Sequence, residues 1–235
     1  MVSYMKKFSP HKNASFYLKL SVIIAAVLIL NYFYQSNNFD FTLKCICSGG
    51  FAALGILNFL YMLKTKQENI PFHLTLCLGI FFAMLGDIMI KFSFVAGAAV
   101  FAVGHIFFFV AYCFLQKIRK TDIIIGGGVF LAGTLFLILC PLLKFDPPFF
   151  RIVCIVYALI ISMMLGKAVG NFIREKNTFT FFLAIASFLF FFSALMLVFD
   201  WFIGLWSWTD HACMGTYYPS LCISAFAMLL YKDKQ

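Results

Sequence analysis

The sequence predicts an all-α, polytopic membrane protein, a bundle of about eight transmembrane helices. Hydrophobic residues make up 63% of the 235 residues and charged residues only 11%, and the mean hydropathy is +0.97. Apolar blocks recur along the chain, each long enough to cross a hydrocarbon core of roughly 30 Å as a helix. The blocks are continuous, whereas the strands of a membrane barrel alternate polar and apolar residues. Helices are therefore the predicted spanning elements.

The polar breaks between the apolar blocks define the elements in order. A basic segment, residues 1–15, is predicted to be cytoplasmic. The apolar run that follows has no small-residue cleavage pattern at its end, so we interpret it as an uncleaved anchor. Residues 16–231 are predicted to form a single transmembrane domain. Its predicted spans are 16–35, 41–63, 72–92, 94–115, 123–143, 149–170, 178–200 and 212–231. The fifth span opens with Gly126-Gly-Gly128, which permits close helix approach.

The distribution of Lys and Arg predicts the orientation of the bundle. Most of the 18 basic residues fall on the side of the N-terminus, while Lys44, Lys91, Lys144 and Arg151 fall on the other side. Cytoplasmic loops carry the excess of Lys and Arg, and eight spans place both termini on one side. We therefore expect an integral, multi-pass protein of the cell membrane with both termini cytoplasmic. The net charge of +9 reflects this orientation, and we expect no nucleic-acid partner.

Several reaction classes leave no pattern in the sequence. The eight cysteines fall mostly within apolar runs, and Cys45-Ile-Cys47 has the wrong spacing for a metal-binding pair. We expect buried thiols, no metal site and no cofactor. There is no G-x-S-x-G elbow, no H-E-x-x-H motif, no Walker loop and no dinucleotide fingerprint. These absences argue against a soluble-type hydrolase, protease, ATPase or redox enzyme.

Asp87, in the third span, is the residue that most needs an explanation. A carboxylate in hydrocarbon costs about 3 kcal/mol on insertion scales, so it is by default a functional-site hypothesis. One interpretation is a partly desolvated acid that transfers protons. The alternative is a structural ion pair with Lys44, or with Lys91 on the same helix face. His105, in the fourth span, is a second catalytic candidate, although a histidine in such a place is commonly hydrogen-bonded within the bundle.

Other polar side chains near the outer ends of spans have two interpretations each. Tyr217 and Tyr218, in the last span, either hold a lipid headgroup or anchor the helix at the interface. Arg151, early in the sixth span, either binds a lipid phosphate or extends to the interface. These residues are candidate contacts for a lipid ligand.

The two halves of the chain show signs of an internal duplication. We favour a parallel repeat of four spans each over chance similarity among apolar residues. In this interpretation Ala194 occupies the position at which a second carboxylate would face Asp87 across a cavity. The aligned pairs are Lys44 with Arg151, Gly97 with Gly204, Met89 with Met196, and Asp87 with Ala194.

Several of these segments together resemble a known family. Leu85–Met89, followed by Gly104–Phe108, is similar to the first signature hairpin of the YhhN family of membrane proteins. Ala186–Ala194 resembles the second signature segment of that family, and Tyr217-Tyr218 resembles its tyrosine pair. Lys44 resembles its lysine early in an apolar span. The likeness extends over most of the chain from about residue 40 onward.

The resemblance implies a lysoplasmalogenase, an eight-span enzyme that hydrolyses the vinyl ether bond of lysoplasmalogens. The products are a fatty aldehyde and a glycerophospho-ethanolamine or -choline. The implied partner is a membrane lipid or lysolipid, and assembly into a homo-oligomer is compatible with the sequence. The resulting candidates are Asp87 and His105 as catalytic residues, with Lys44, Arg151, Ser193, Tyr217 and Tyr218 as substrate-binding residues.

One departure from the family pattern affects the predicted chemistry. The second segment of the family usually reads Ser-Asp, whereas this chain has Ser193-Ala194. Asp200 cannot replace that acid, because six residues along a helix place it about 120° away and roughly 9 Å further out. Either Asp87 works with water and His105 at a reduced rate, or the protein binds or transports lipid without hydrolysis. A proton-coupled transporter of small solutes is the third alternative.

Overall fold

A computed structural model describes residues 10–65, 69–204 and 208–231, with side chains from residue 19 onward. These residues form eight helices and no strand, and all eight are long and apolar enough to span a membrane. The predicted all-α class is confirmed. The helices are α1 (Pro10–Ser36), α2 (Phe41–Lys64), α3 (Ile70–Met89), α4 (Phe94–Leu115), α5 (Lys120–Leu139), α6 (Phe149–Glu175), α7 (Thr178–Phe202) and α8 (Trp208–Leu230).

Several helix bounds differ from the predicted spans, among them those of α1, α5 and α6. The helix α5 begins three residues before the predicted start at residue 123, because Asp122 accepts a hydrogen bond from the backbone N–H of Arg119 and so caps the first turn. It ends at Leu139, before Pro141. The helix α6 continues past the predicted end at residue 170 to Glu175. Of the predicted N-terminal segment, residues 1–9 lie outside the described part of the chain, and α1 begins at Pro10.

A buried polar network explains the longer α6. Lys167 is fully buried, and its Nζ lies 3.1 Å from Asp122 Oδ2. Arg174 Nη1 lies 2.6 Å from Asp122 Oδ1. Asn171 accepts hydrogen bonds from both cations. Lys167 and Arg174, two of the basic residues on the predicted side of the N-terminus, thus belong to one network that joins α5 to α6.

Two glycines allow α5 and α6 to approach closely. A Cβ atom at Gly166 would lie 2.5 Å from the backbone nitrogen of Gly126, and one at Gly126 would lie 3.0 Å from the carbonyl oxygen of Ser162. A Cβ at Gly127 or Gly128 would meet nothing within 4 Å. Of the predicted glycine triplet, Gly126 is therefore the residue that the α5–α6 contact requires.

We expect Gly166→Ala to destabilise the protein by about 1–3 kcal/mol, since the added methyl group overlaps backbone atoms of α5. Gly127→Ala is the matched control, and it should leave stability unchanged or raise it by about 1 kcal/mol, as Gly→Ala does in an open helix position. The measurement is thermal unfolding of each purified variant in the same detergent. Equal stability of the two variants would contradict the described α5–α6 contact.

The packing of the helices recurs in part between the two halves of the chain. The contacts of α1 with α2, α2 with α3 and α3 with α4 recur as α5 with α6, α6 with α7 and α7 with α8. Across the halves, α2 packs on α8 as α6 packs on α4. Among the described residues, the contacts of α8 with α1 and with α3 have no counterpart in contacts of α4 with α5 and with α7, so the packing agrees with a parallel repeat of four helices only in part. The pairing of Gly97 with Gly204 does not hold in structure, because Gly97 is in the first turn of α4 and Gly204 follows α7 with a φ of 63°.

Candidate functional site

The candidate site is built around Asp87, which lies near the last turn of α3 and is 1% exposed. Lys44 Nζ lies 2.5 Å from Asp87 Oδ1. Ser48 donates a hydrogen bond of 2.5 Å to Asp87 Oδ2, and Tyr218 donates one of 2.9 Å to the same oxygen. Three donors from two other helices therefore converge on one carboxylate.

The sequence of each helix explains why these groups meet. Lys44 and Ser48 are four residues apart in α2 and so lie on one face of that helix. Asp40 caps α2 by accepting a hydrogen bond from the backbone N–H of Leu43, which fixes the start of the helix one turn before Lys44. The helix α8 packs against both α2 and α3 and carries Tyr218 to the pair.

Both carboxylate oxygens of Asp87 have donors, the ammonium group of Lys44 on one and two hydroxyl groups on the other. Lys44 is 1% exposed, and its ammonium group also lies 5.7 Å from the ring centroid of Tyr34 in α1. A buried charge is tolerated when it is paired and its remaining lone pairs are hydrogen-bonded, and Asp87 meets both conditions. Of the two ion pairs considered from the sequence, the structure contains the one with Lys44, while Lys91 is exposed.

Asp87 opens onto a small cavity between α3, α4, α6, α7 and α8. The cavity has a volume of about 20 Å³, enough for one water molecule. Asp87 and Ala194 both line it, so the position at which the resemblance implies a second acid shares a cavity with Asp87. The other lining residues include Phe101, Tyr157, Phe190, Ser193, Cys213 and Tyr217.

Two further candidates line this cavity without contacting the carboxylate. Tyr217 donates a hydrogen bond of 2.8 Å to the carbonyl oxygen of Ala83, one turn before Asp87 in α3. Ser193 Oγ lies 3.4 Å from Cys213 Sγ. Both side chains are buried. They form part of the cavity wall beside Asp87. The hydrogen bonds to its carboxylate come from Lys44, Ser48 and Tyr218.

The structure does not bring His105 or Arg151 to Asp87. The helices α3 and α4 are antiparallel, and at 1.5 Å per residue His105 lies about 16 Å along α4 from its first residue, whereas Asp87 lies about 3 Å from the end of α3. The Nδ1 atom of His105 lies 2.6 Å from the carbonyl oxygen of Phe101, and its ring packs 4.4 Å from that of Phe190. Arg151 is exposed in the first turn of α6.

Ser48 is the site residue that the sequence analysis missed. Its spacing of four residues from Lys44 was the available signal, because any partner of Lys44 on that helix face also lies near Ser48. Among the described residues, no group of three or more His, Cys, Asp or Glu side chains is placed to hold a metal ion.

Comparison with known proteins places the chain in a family. No curated protein and no solved structure matches it. The model of the YhhN family matches residues 47–224, which include Ser48, Asp87, Ala194 and Tyr218. Since this match covers most of the chain, the protein belongs to the YhhN family.

Proposed function

We propose that the protein hydrolyses the vinyl ether bond of lysoplasmalogens within the membrane. The observation that carries this proposal is a buried carboxylate, Asp87, held by Lys44 and two hydroxyl groups beside a cavity with room for a water molecule. The family resemblance described above supports the same activity. As part of the proposal both termini are cytoplasmic, which places Asp87 in the outer half of the membrane.

The proposed reaction adds one water molecule across the vinyl ether. A proton adds to the β-carbon of the alkene and leaves an oxocarbenium ion, which the Asp87 carboxylate stabilises, as carboxylates do in glycoside hydrolysis. Water then attacks the cationic carbon and loses a proton to the buried pair. The resulting hemiacetal breaks into a fatty aldehyde and the free glycerol hydroxyl of the glycerophospho-headgroup.

The source of the first proton is the buried pair itself. Transfer from Lys44 to Asp87 across their 2.5 Å contact converts the ion pair into a neutral amine and a carboxylic acid. The acid gives its proton to the β-carbon and becomes a carboxylate opposite the new cation. The proton released by water restores the Lys44 ammonium group, so the cycle closes. Because this route must first break the Lys44–Asp87 ion pair, it is expected to be slow.

The remaining candidates have supporting roles in this proposal. Ser193 and Tyr217 line the cavity, which must widen to admit the vinyl ether, and they then contact the substrate beside the reacting bond. Arg151, exposed at the start of α6, binds the phosphate of the headgroup. His105 contacts Phe101 and Phe190, which line the cavity. In this proposal it holds the cavity wall in place and transfers no proton.

A second candidate function is lysolipid binding without turnover, and Ala194 favours it. Ala194 lines the same cavity as Asp87 and carries a methyl group where a second acid would stand. A site with one neutralised carboxylate is well suited to holding a lipid and poorly suited to protonating carbon.

Aldehyde release from a lysoplasmalogen separates these two functions. We expect the purified protein in phosphatidylcholine vesicles to release fatty aldehyde from 1-alkenyl lysophosphatidylethanolamine. In D₂O the aldehyde should carry one deuterium at C2, because the proton adds to that carbon. The control substrate is the saturated 1-alkyl lysolipid, which has no alkene and should remain intact. Absence of aldehyde between pH 5 and 8, with lysolipid still bound, would reject hydrolysis in favour of binding.

A further inference from the structure

A groove on the membrane-facing surface runs between α4 and α6. Its volume is about 320 Å³. Ala98, Ala99 and Ala102 form one wall, and their small side chains leave the space that larger residues would fill. The opposite wall is formed by side chains of α6. The lining residues are Val95, Ala98, Ala99, Ala102, Phe149, Ile152, Val153, Val156 and Tyr157.

A second, inner cavity lies between this groove and the Asp87 site. It measures about 30 Å³ and shares Ala98 and Val153 with the groove. It shares Ala194 and Leu197 with the cavity at Asp87. The three spaces therefore form one series from the membrane-facing surface of the bundle to the buried carboxylate.

Tyr157 is common to all three spaces. It lines the groove, the inner cavity and the cavity at Asp87. Its ring packs 5.4 Å from that of His105. Tyr157 thus stands at the point where the wide outer groove narrows to the small inner cavities.

We propose that the α4–α6 groove binds the hydrocarbon chain of a single-chain lipid and that Tyr157 is the gate between this chain and Asp87. This inference rests on the proposed function in taking a lysolipid as the ligand. The walls of the groove are aliphatic and aromatic and face the hydrocarbon region of the bilayer. An alkyl or alkenyl chain therefore reaches the groove from the bilayer without crossing water. The inner cavities that lie between the groove and Asp87 favour a substrate chain over an ordinary bilayer lipid.

The depth of the groove fits the position of the reacting bond. The vinyl ether is the first bond of the chain next to the glycerol, so it lies close to the headgroup. Asp87 lies about 3 Å from the end of α3, and the groove residues occupy the first turns of α4 and α6, which begin on the same side of the bundle. Arg151 lies between Phe149 and Ile152 of the groove in sequence, where it can meet the phosphate.

Photo-cross-linking tests this inference independently of turnover. The probe is lysophosphatidylethanolamine with a diazirine in its single saturated chain, which contains no vinyl ether to hydrolyse. With wild-type protein in phosphatidylcholine vesicles, we expect adducts on residues 95–102 and 149–157, mapped by mass spectrometry. Excess unlabelled lysolipid should remove them, whereas excess diacyl phosphatidylcholine should not. Adducts spread evenly over the membrane-facing helices, or unaffected by lysolipid, would overturn the inference.

Filling the groove provides the second arm. The Ala99→Trp/Ala102→Trp variant should lose the lysolipid-sensitive adducts by about tenfold, while Ala132→Trp, at an exposed alanine of α5, should retain them. Tyr157→Ala should add adducts at Ala194 and Leu197, because the gate is removed. Adducts in the groove that excess lysolipid removes, without any aldehyde release, would support the groove as a lipid site and reject hydrolysis. Aldehyde release that is unchanged in the groove-filled variant, with no competed adducts, would overturn the groove and leave hydrolysis standing.

Discussion

We expect Ala194→Asp to raise the rate of aldehyde release from lysoplasmalogen by about 10²–10⁴-fold, the contribution of a positioned general acid. Ala194 and Asp87 line the same cavity, so the new carboxyl group faces the existing one. Lys44 neutralises one charge, and two carboxyl groups that share a cavity do not both ionise readily. The added group therefore keeps its proton and delivers it to the alkene, while Asp87 stabilises the cation.

The matched control is Ala194→Asn, which has nearly the same shape and cannot supply the proton. The two variants and the wild type are compared in the same vesicles at equal protein content. An equal gain in both variants would assign the effect to cavity shape rather than to acidity. No gain in either would contradict the two-carboxyl mechanism and favour a function other than vinyl ether hydrolysis for this site.

The second large effect is expected from Lys44→Met, which should destabilise the protein by about 3–5 kcal/mol. The substitution leaves the Asp87 carboxylate buried without its cation, and Lys44 is itself only 1% exposed. Ser48 and Tyr218 still donate to Asp87, but neutral donors do not compensate for the desolvation of a charge. Denaturation of the purified variants in one detergent measures the difference.

The double variant Lys44→Met/Asp87→Leu should recover most of this loss, because replacing both partners of a buried ion pair by apolar residues is often neutral or stabilising. The hydroxyl oxygens of Ser48 and Tyr218 lie 3.5 Å apart and can bond to each other once the carboxylate is gone. A loss of less than about 1 kcal/mol in the single variant, the value typical of an exposed pair, would contradict the buried pair described here.

The fold could be predicted from the sequence because the bilayer imposes simple requirements. A block of about 20 apolar residues can satisfy its backbone only as a helix, so hydropathy alone gives the number of spans. The limits of α5 and α6 could not be predicted in this way. They depend on tertiary contacts of Asp122 with Lys167 and Arg174. Because of these contacts, α6 continues through charged residues at which the hydropathy pattern predicts its end.

The centre of the site could also be found from the sequence, but its partners only in part. The cost of a carboxylate in hydrocarbon identified Asp87, and Lys44 was one of two cations within reach. Ser48 was missed because a serine in an apolar helix ordinarily bonds to a carbonyl of its own helix. The place of His105 could not be decided from spacing, since its distance from Asp87 depends on how far each lies along antiparallel helices.

The central claim is that Asp87 is the functional group of this site and does not serve only as a partner in a structural ion pair. The most direct test is to measure aldehyde release by Lys44→Met/Asp87→Leu. This variant separates the two roles, because it restores stability while removing the carboxylate. We predict that it unfolds at a temperature close to that of the wild type and releases no aldehyde above the background of protein-free vesicles. Release at the wild-type rate would contradict the claim and reduce the pair to a structural contact.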